Sequence, residues 1–394
     1  MTLATTNLSG SNHKTAAAWN RGLAVRLLRK HECLSRSQIS QMTGLRGSTL
    51  TYIVRELMKR NVVRTVGTAS SKRVGKKQVL LKINPNLGWT LGVALRPGVA
   101  RMILLDAAAE RIASYQAAIG TTLDTVPADL QRHLEDWMRQ IEKPAGQMLA
   151  LGVGVPGMVD VDRGVVLRSA LFSATDVPLR KMLAEKFQVP TVIDHDACFA
   201  AGAEALTGAA RGKSHFIYFS LNHKRDGDII RFNSYGSALY LEGKVYRGAH
   251  YCAGEFSATL LPPVLETDPA DLEAMATVNG GMSPKLQELA QYLGQTLVSI
   301  INFVDVQMVV IGGTAGLKNR AFLDVMEHEI RSQLIPIPGR ELQIIPTAIG
   351  SEAVPRGAAL SASDTALVTA AEFTEDAAAI PSHRIDEELS TINL

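Results

Sequence analysis

Between Thr15 and Arg60 the apolar positions recur at intervals of three and four, the spacing that lines them along one side of a helix. Trp19, Leu23, Val25, Leu27 and Leu28 form the apolar side of a first helix, about Thr15 to Lys30, with Arg21, Arg26, Arg29 and Lys30 pointing elsewhere. Ser35 followed by Gln38 has capping-box spacing and opens a second helix through Ile39 and Met42. Thr43-Gly44-Leu45 is a tight turn in which Gly44 can take a left-handed conformation. A third helix spans about Gly47 to Arg60. Leu50, Ile53, Val54 and Leu57 form its buried side, opposite Ser48, Thr51, Tyr52, Arg55 and Lys59. A short strand (Val62 to Val66), a polar tip over 70–77 and a returning strand (Gln78 to Ile83) follow. Residues 1–14 are expected to be disordered, and Asn84-Pro85-Asn86 marks a boundary.

From Trp89 onward, short apolar runs alternate with helical stretches. The runs Leu91–Leu95, Arg101–Leu105, Arg111–Ala118, Leu149–Val153, Thr191–Ile193, His215–Leu221, Gly236–Leu241, Met308–Ile311 and Leu342–Pro346 predict strands. Helices are predicted over about 127–140, 178–187, 197–206, 284–305 and 351–360. Alternation of this kind argues for α/β architecture. Residues 363–394, rich in Ala, Glu and Ser with weak periodicity, are expected to form a loosely held tail.

Charge sharpens this picture. Residues 1–85 hold 16 Lys/Arg against Glu32 and Glu56, about +14, whereas the rest of the chain holds 25 against 36 acids, about −11. A segment so basic favours a polyanion, and the helical pattern it carries favours duplex DNA over a merely solvated basic face. Three helices followed by a basic hairpin describe a winged helix-turn-helix over 15–85. Ser48, Thr51 and Tyr52 then face base edges and Arg55 faces phosphates, with Arg46 also expected to bind DNA. The tip cations Lys72, Arg73, Lys76 and Lys77 suit phosphates or a narrow minor groove.

At 394 residues, 46% apolar and 20% charged, the chain can build two or three cored domains. No apolar run approaches the roughly 18–20 residues that span a bilayer. The polar start resembles no signal peptide. Cys33, Cys198 and Cys252 lie far apart, which disfavours a disulfide framework or a cysteine-built zinc site. These features together predict a cytoplasmic protein without a membrane partner.

Several motifs in order resemble the ROK family of repressors, open reading frames and kinases, and more specifically its transcriptional regulators. They are Leu34-Ser35-Arg36-Ser37-Gln38-Ile39 through Val54-Arg55-Glu56-Leu57, Gly75-Lys76-Lys77, Ile83-Asn84-Pro85, Gly152-Val153-Gly154-Val155-Pro156-Gly157-Met158-Val159-Asp160, Asp194-His195-Asp196-Ala197, Glu242-Gly243-Lys244-Val245-Tyr246-Arg247-Gly248, Ala253-Gly254-Glu255-Phe256 and Ile311-Gly312-Gly313. The resemblance covers about 18–362. It implies an α/β body of two actin/hexokinase-like (ribonuclease H-like) lobes over 86–362 with a sugar-sized cleft between them. Lobe one would hold about 86–200 plus 346–362, and lobe two about 201–345.

The resemblance also says what the cleft lacks. Family kinases carry an Asp-x-Gly where this chain has Ala94-Leu95-Arg96, and the second glycine-rich phosphate turn is degraded to Ser234-Tyr235-Gly236-Ser237-Ala238. Asp196 matches the family's catalytic base, yet phosphoryl transfer depends on positioned phosphates and Mg²⁺, so no catalytic residue and no cofactor are expected. Glu255 is followed by Phe256-Ser257-Ala258 instead of the regulators' Gly-His and cysteine cluster, so no metal is expected. Asp196 and Glu255 match acceptors of sugar hydroxyls, with structural caps or a surface carboxylate as the competing reading. Gly157 lies where backbone approaches the ring. His195 replaces the usual Asn and could equally satisfy a buried neighbour, and Ala170 replaces a loop Asn. The expectation is a repressor of carbohydrate-related genes, a homodimer or higher homo-oligomer, that binds a double-stranded operator and answers to a sugar-like effector. A sugar kinase with a fused DNA-binding head, or a regulator controlled by a protein partner, are the alternatives.

Overall fold

The computed structural model describes residues 13–69, 78–142, 144, 146–256, 265–313 and 317–372. The amino-terminal unit comprises α1 (His13–Lys30), β1 (Leu34–Ser35), α2 (Arg36–Thr43), α3 (Gly47–Lys59), β2 (Val63–Ala69) and β3 (Gln78–Ile83). The capping box at Ser35 forms in both directions: the Ser35 hydroxyl accepts from the Gln38 amide at 3.3 Å, and the Ser35 amide donates to Gln38 Oε1 at 2.8 Å. Gly44 ends α2 with φ 70°. One strand has no counterpart in the sequence pattern. β1 is two residues long and pairs Leu34 with Leu81, giving the order β1-β3-β2. Ile39, Leu50, Ile53, Val54, Leu57 and Leu81 are buried together beneath it. Residues 1–12 and the tip 70–77, with Lys72, Arg73, Lys76 and Lys77, lie outside the described residues.

Asn84 joins this unit to the next without slack. Its amide donates to Val62 O, its side chain donates to Asn61 O at 3.0 Å, and it caps the single turn Pro85–Leu87. Lobe one then contains β4 (Gly88–Arg96), β5 (Val99–Asp106), β6 (Arg111–Ala118), α4 (Val126–Met138), β7 (Gln147–Val155), β8 (Met158–Asp160), β9 (Val165–Ser169), β10 (Ala174–Val177), α5 (Leu179–Phe187), β11 (Thr191–His195) and α6 (Asp196–Thr207). Its main sheet runs β11-β7-β4-β5-β6, parallel across β11, β7 and β4 and antiparallel beyond; β8, β9 and β10 form a small sheet beside it.

Lobe two contains β12 (Phe216–Asp226), β13 (Ile229–Leu241), β14 (Lys244–Tyr246), β15 (Leu265–Thr267), α7 (Pro269–Ala276), α8 (Pro284–Val304), β16 (Met308–Gly312), α9 (Arg320–Gln333) and β17 (Gln343–Pro346). Its sheet runs β14-β13-β12-β16-β17, with β15 on β13. The segment Ser234–Ala238 is the interior of β13, where Gly236 faces Ser220, and not a phosphate turn. No helix among the described residues is long and apolar enough to cross a membrane.

The last helix, α10 (Ala353–Glu372), corrects the expectation of a loose tail from residue 363. It continues to Glu372, and Ser363, Leu367 and Val368 are buried. Its small residues blur the helical period because it packs on several sides at once. A Cβ on Gly92 of β4 would lie 1.9 Å from Pro355 O, and one on Gly357 would lie 1.8 Å from Phe199 O. The helix therefore sits directly against the lobe-one sheet and α6. Its far end enters the amino-terminal unit: Leu367 belongs to the same buried cluster as Leu28 and Leu50, and Asp364 Oδ1 meets Arg29 Nη1 at 2.6 Å. Twenty residues of helix span about 30 Å, so one rigid element links the interlobe cleft to the basic unit.

Candidate functional site

The amphipathic pattern of α3 sets its orientation. Leu50, Ile53, Val54 and Leu57 face inward, leaving Ser48, Thr51, Tyr52 and Arg55 exposed along the outer side, with Arg46 just before the helix. Thr51 Oγ1 donates to Gly47 O at 2.7 Å, which fixes its rotamer. The Arg55 guanidinium lies 5.4 Å from the centre of the Tyr52 ring, a cation–π contact that holds both side chains on one outward patch. Tyr52 is 52% exposed, which suits it to stacking or base-edge contact. The helix-1 cations behave differently. Arg21 is buried, and Arg29 pairs with Asp364 at the junction with α10.

The cleft between the lobes is built from the ends of strands. β4 delivers Ala94 and Arg96, β5 delivers Val99 and Arg101, and β12 delivers Tyr218, Ser220 and Asn222 at alternate positions. Asp196 and Ala197 at the start of α6, Gly313 after β16, Ser351 just before α10 and Val354 in its first turn complete the cleft. Arg96 ends β4 at the wall of this cleft. Its Nη1 donates to Asp196 Oδ2 at 2.5 Å and to Leu95 O at 3.2 Å. The other carboxylate oxygen, Oδ1, accepts from the Ala197 amide at 2.7 Å and lies 3.0 Å from His195 Nε2. Asp196 is thus engaged on both oxygens by a cation on one side and an imidazole on the other.

Charge follows from this arrangement. Burial alone would raise the Asp196 carboxyl, but the Arg96 guanidinium and then His195 outweigh it and hold the group well below the usual carboxylate range. Burial likewise disfavours protonated His195, yet the neighbouring Asp196 carboxylate lifts it well above its ordinary value. A carboxylate held so firmly ionised is a weak proton acceptor. That is poor equipment for a general base and good equipment for accepting hydrogen bonds.

Of the ligand residues expected from sequence, His195, Asp196 and Glu255 come together: Glu255 Oε1 lies 3.9 Å from His195 Nε2, with its side chain 43% exposed. Gly157 has a local reason to be glycine. Its φ is +122°, and a Cβ there would lie 2.3 Å from Arg168 O on β9. Two ties between lobes escaped the sequence reading. Arg247 Nη2 donates to Asp194 Oδ2 at 2.7 Å, and the Tyr251 hydroxyl meets Asp162 Oδ2 at 2.5 Å. Both anchor the loop that carries Glu255, whose Gly254 carbonyl accepts from Ser237 Oγ at 2.6 Å. Tyr246-Arg247-Gly248 stood out as a motif, but no local pattern could disclose that its partner lies 53 residues away. Among the described residues no cluster of three or more His, Cys, Asp or Glu could hold a metal ion.

Comparison with known proteins extends these observations. The xylose repressor of Bacillus spizizenii (strain ATCC 23059 / NRRL B-14472 / W23) is 24% identical over 371 residues, covering 85% of this chain and 92% of that protein. The xylose repressor of Caldicellulosiruptor bescii is 29% identical over 254 residues, covering 64% of this chain; the match spans only 60% of that protein's length. Among solved structures, a ROK family transcriptional regulator described as a homolog of E. coli MLC protein superposes with a TM-score of 0.71 at 20% identity, covering 91% of this chain and 98% of the other. A ROK family glucokinase from Streptomyces griseus, solved with glucose and AMPPNP, covers 70% of this chain and 99% of its own at 19% identity with a TM-score of 0.56. The likeness at these identities establishes the two-lobed fold. The ROK family model itself matches residues 90–267 and 265–365, most of the two lobes, and the chain belongs to the ROK family.

Proposed function

We propose that this protein is a sequence-specific DNA-binding transcriptional regulator, a repressor of carbohydrate-related genes, whose kinase-like cleft receives a sugar-like effector. The observation that carries the reading is the outward face of α3. Arg46, Ser48, Thr51, Tyr52 and Arg55 lie exposed on one side of a helix within a segment of about +14, the arrangement that a major groove and its flanking phosphates require. Full-length relatives named as xylose repressors support it.

In the cleft, Asp196, His195 and Glu255 would accept and donate hydrogen bonds to sugar hydroxyls. Arg96, already bonded to Asp196, stands where a kinase would admit a phosphate loop, so the protein performs no phosphoryl transfer in this reading. Effector binding would shift the Glu255 loop against the Arg247–Asp194 and Tyr251–Asp162 ties. α10 would carry that change from Val354 at the cleft to Leu367 in the basic unit, a two-state element of the kind that regulation requires. Two heads on half-sites about one helical turn apart make a homodimer the expected form.

The test is electrophoretic retardation of the DNA flanking the protein's own gene, with ATP consumption measured over a panel of sugars. Retardation at nanomolar protein without turnover supports the reading. Sugar-dependent ATP consumption abolished by Asp196→Asn would establish a kinase with a fused DNA-binding head instead.

A further inference from the structure

Cations exceed carboxylates in the cleft, and their placement is set by the sheets. Ala94 pairs with Arg101 across β4 and β5, and Arg96 lies two residues beyond Ala94, so both arginines project from the same face at diagonal positions. Both line the one cleft. The register of the β12–β13 hairpin shifts between Asn222, which lines the cleft, and His223. Burial first and the Arg101 guanidinium second hold the His223 imidazole below its ordinary value. Burial and then Arg96 lower Arg101 itself. The two guanidinium groups therefore repel each other across a partly desolvated space.

The negative charge available to them is small. Asp196 is the carboxylate lining the cleft, and it is shared between Arg96 and His195. Arg96 bonds Asp196 and Leu95 through Nη1 alone, which leaves its Nε/Nη2 edge, the fork that takes up two oxygens side by side, for a further acceptor. Arg101 spends one N–H, its Nε, on the neutral Gln116 Oε1 at 3.3 Å; no carboxylate among the described residues pairs with it. Like charges at such spacing disfavour one another unless an anion joins them.

We propose that the cleft is an anion site in which a phosphoryl group is held between the guanidinium groups of Arg96 and Arg101. The bond from Arg96 to Asp196 persists, because a different edge of the guanidinium is used. The Asp196, His195 and Glu255 cluster lies on the far side of that same carboxylate. A phosphomonoester could therefore place its phosphate on the arginines and its hydroxyls on the cluster, which deepens the effector reading above and rests on it for that part. The site depends on Arg96 at the end of β4 and on a second arginine opposite Ala94.

The experiment is isothermal titration of the full-length protein, free of DNA, with inorganic phosphate, a hexose 6-phosphate and the unphosphorylated hexose, repeated on Arg101→Gln and Arg101→Lys. Melting of each ligand-free variant reports folding separately. Saturable phosphate binding weakened at least tenfold in Arg101→Gln, with an intermediate loss in Arg101→Lys, is the expected result. Tighter binding of the hexose phosphate than of phosphate identifies a sugar ester as the ligand, whereas equal binding identifies the free ion; either supports the site. Phosphate affinity unchanged in both variants would place the anion on the basic head and overturn the proposal, as would no heat from either phosphate. Phosphate binding through Arg101 by a protein that ignores DNA would sink the regulator reading and leave this one standing.

Discussion

Truncating Leu367 to alanine tests whether α10 holds the basic unit in place. Leu367 is 1% exposed and buried with Leu28, Ile39 and Leu50, so Leu367→Ala removes three buried carbons from a cluster shared by two domains. Leucine-to-alanine changes in cores cost about 2–5 kcal/mol, less where the surroundings can collapse. Leu367 lies within two turns of the helix end at Glu372, which favours the lower part, about 2–3 kcal/mol. The neighbouring Arg29–Asp364 pair contributes far less, because Asp364 is 37% exposed and such pairs are worth about 0–1 kcal/mol. Apolar packing therefore dominates this junction. Native-state hydrogen exchange measures it directly. Amides of α1 and α3 should exchange about 30- to 150-fold faster in Leu367→Ala, the equivalent of 2–3 kcal/mol, while those of β16 keep their protection. Asp364→Asn should change the same amides by less than about fivefold. Unaltered exchange in α1 and α3, or an equal loss in β16, would refute the idea that α10 selectively secures the head.

Other outcomes follow from particular side chains. Arg55→Ala should weaken binding to all DNA sequences and reduce the slope of log affinity against log salt by about one, as fluorescence anisotropy across a salt series would record. Thr51→Ala and Tyr52→Ala should instead change relative affinities among operator variants, and a uniform loss would contradict base-edge roles. Arg96→Gln bears on acid stability. Asp196 has a depressed folded pKa, so its contribution is present above about pH 3.9 and fades as pH falls through the folded value. Losing Arg96 raises that value, and urea midpoints should begin to drop at a higher pH than in the parent. His195 has the opposite sign. Its raised folded pKa stabilises fully below about pH 6.5 and is lost as pH climbs through the raised value, so His195→Gln should flatten the alkaline limb of the same profile.

Much of the local structure could be read from the chain alone because its causes are local. The Ser35 capping box, the Gly44 turn and the buried stripe of α3 depend on residues three or four apart, and each appears where the pattern predicts. Most strands of the two main sheets, marked by apolar runs, were equally legible, and so was the concentration of positive charge ahead of Pro85, whereas the short β9, β10 and β15 carry no such run. The tertiary fold decided matters that depend on residues distant in sequence. Arg96 was recognisable as a substitution for glycine, yet its bond to Asp196, 100 residues away, exists only because β4 and β11 end at the same edge of one sheet. The meeting of Arg101 with Arg96 likewise depends on strand register. α10 escaped notice past residue 362 because a helix enclosed by a sheet, another helix and a second domain has no polar face, and without that contrast the amphipathic signal vanishes.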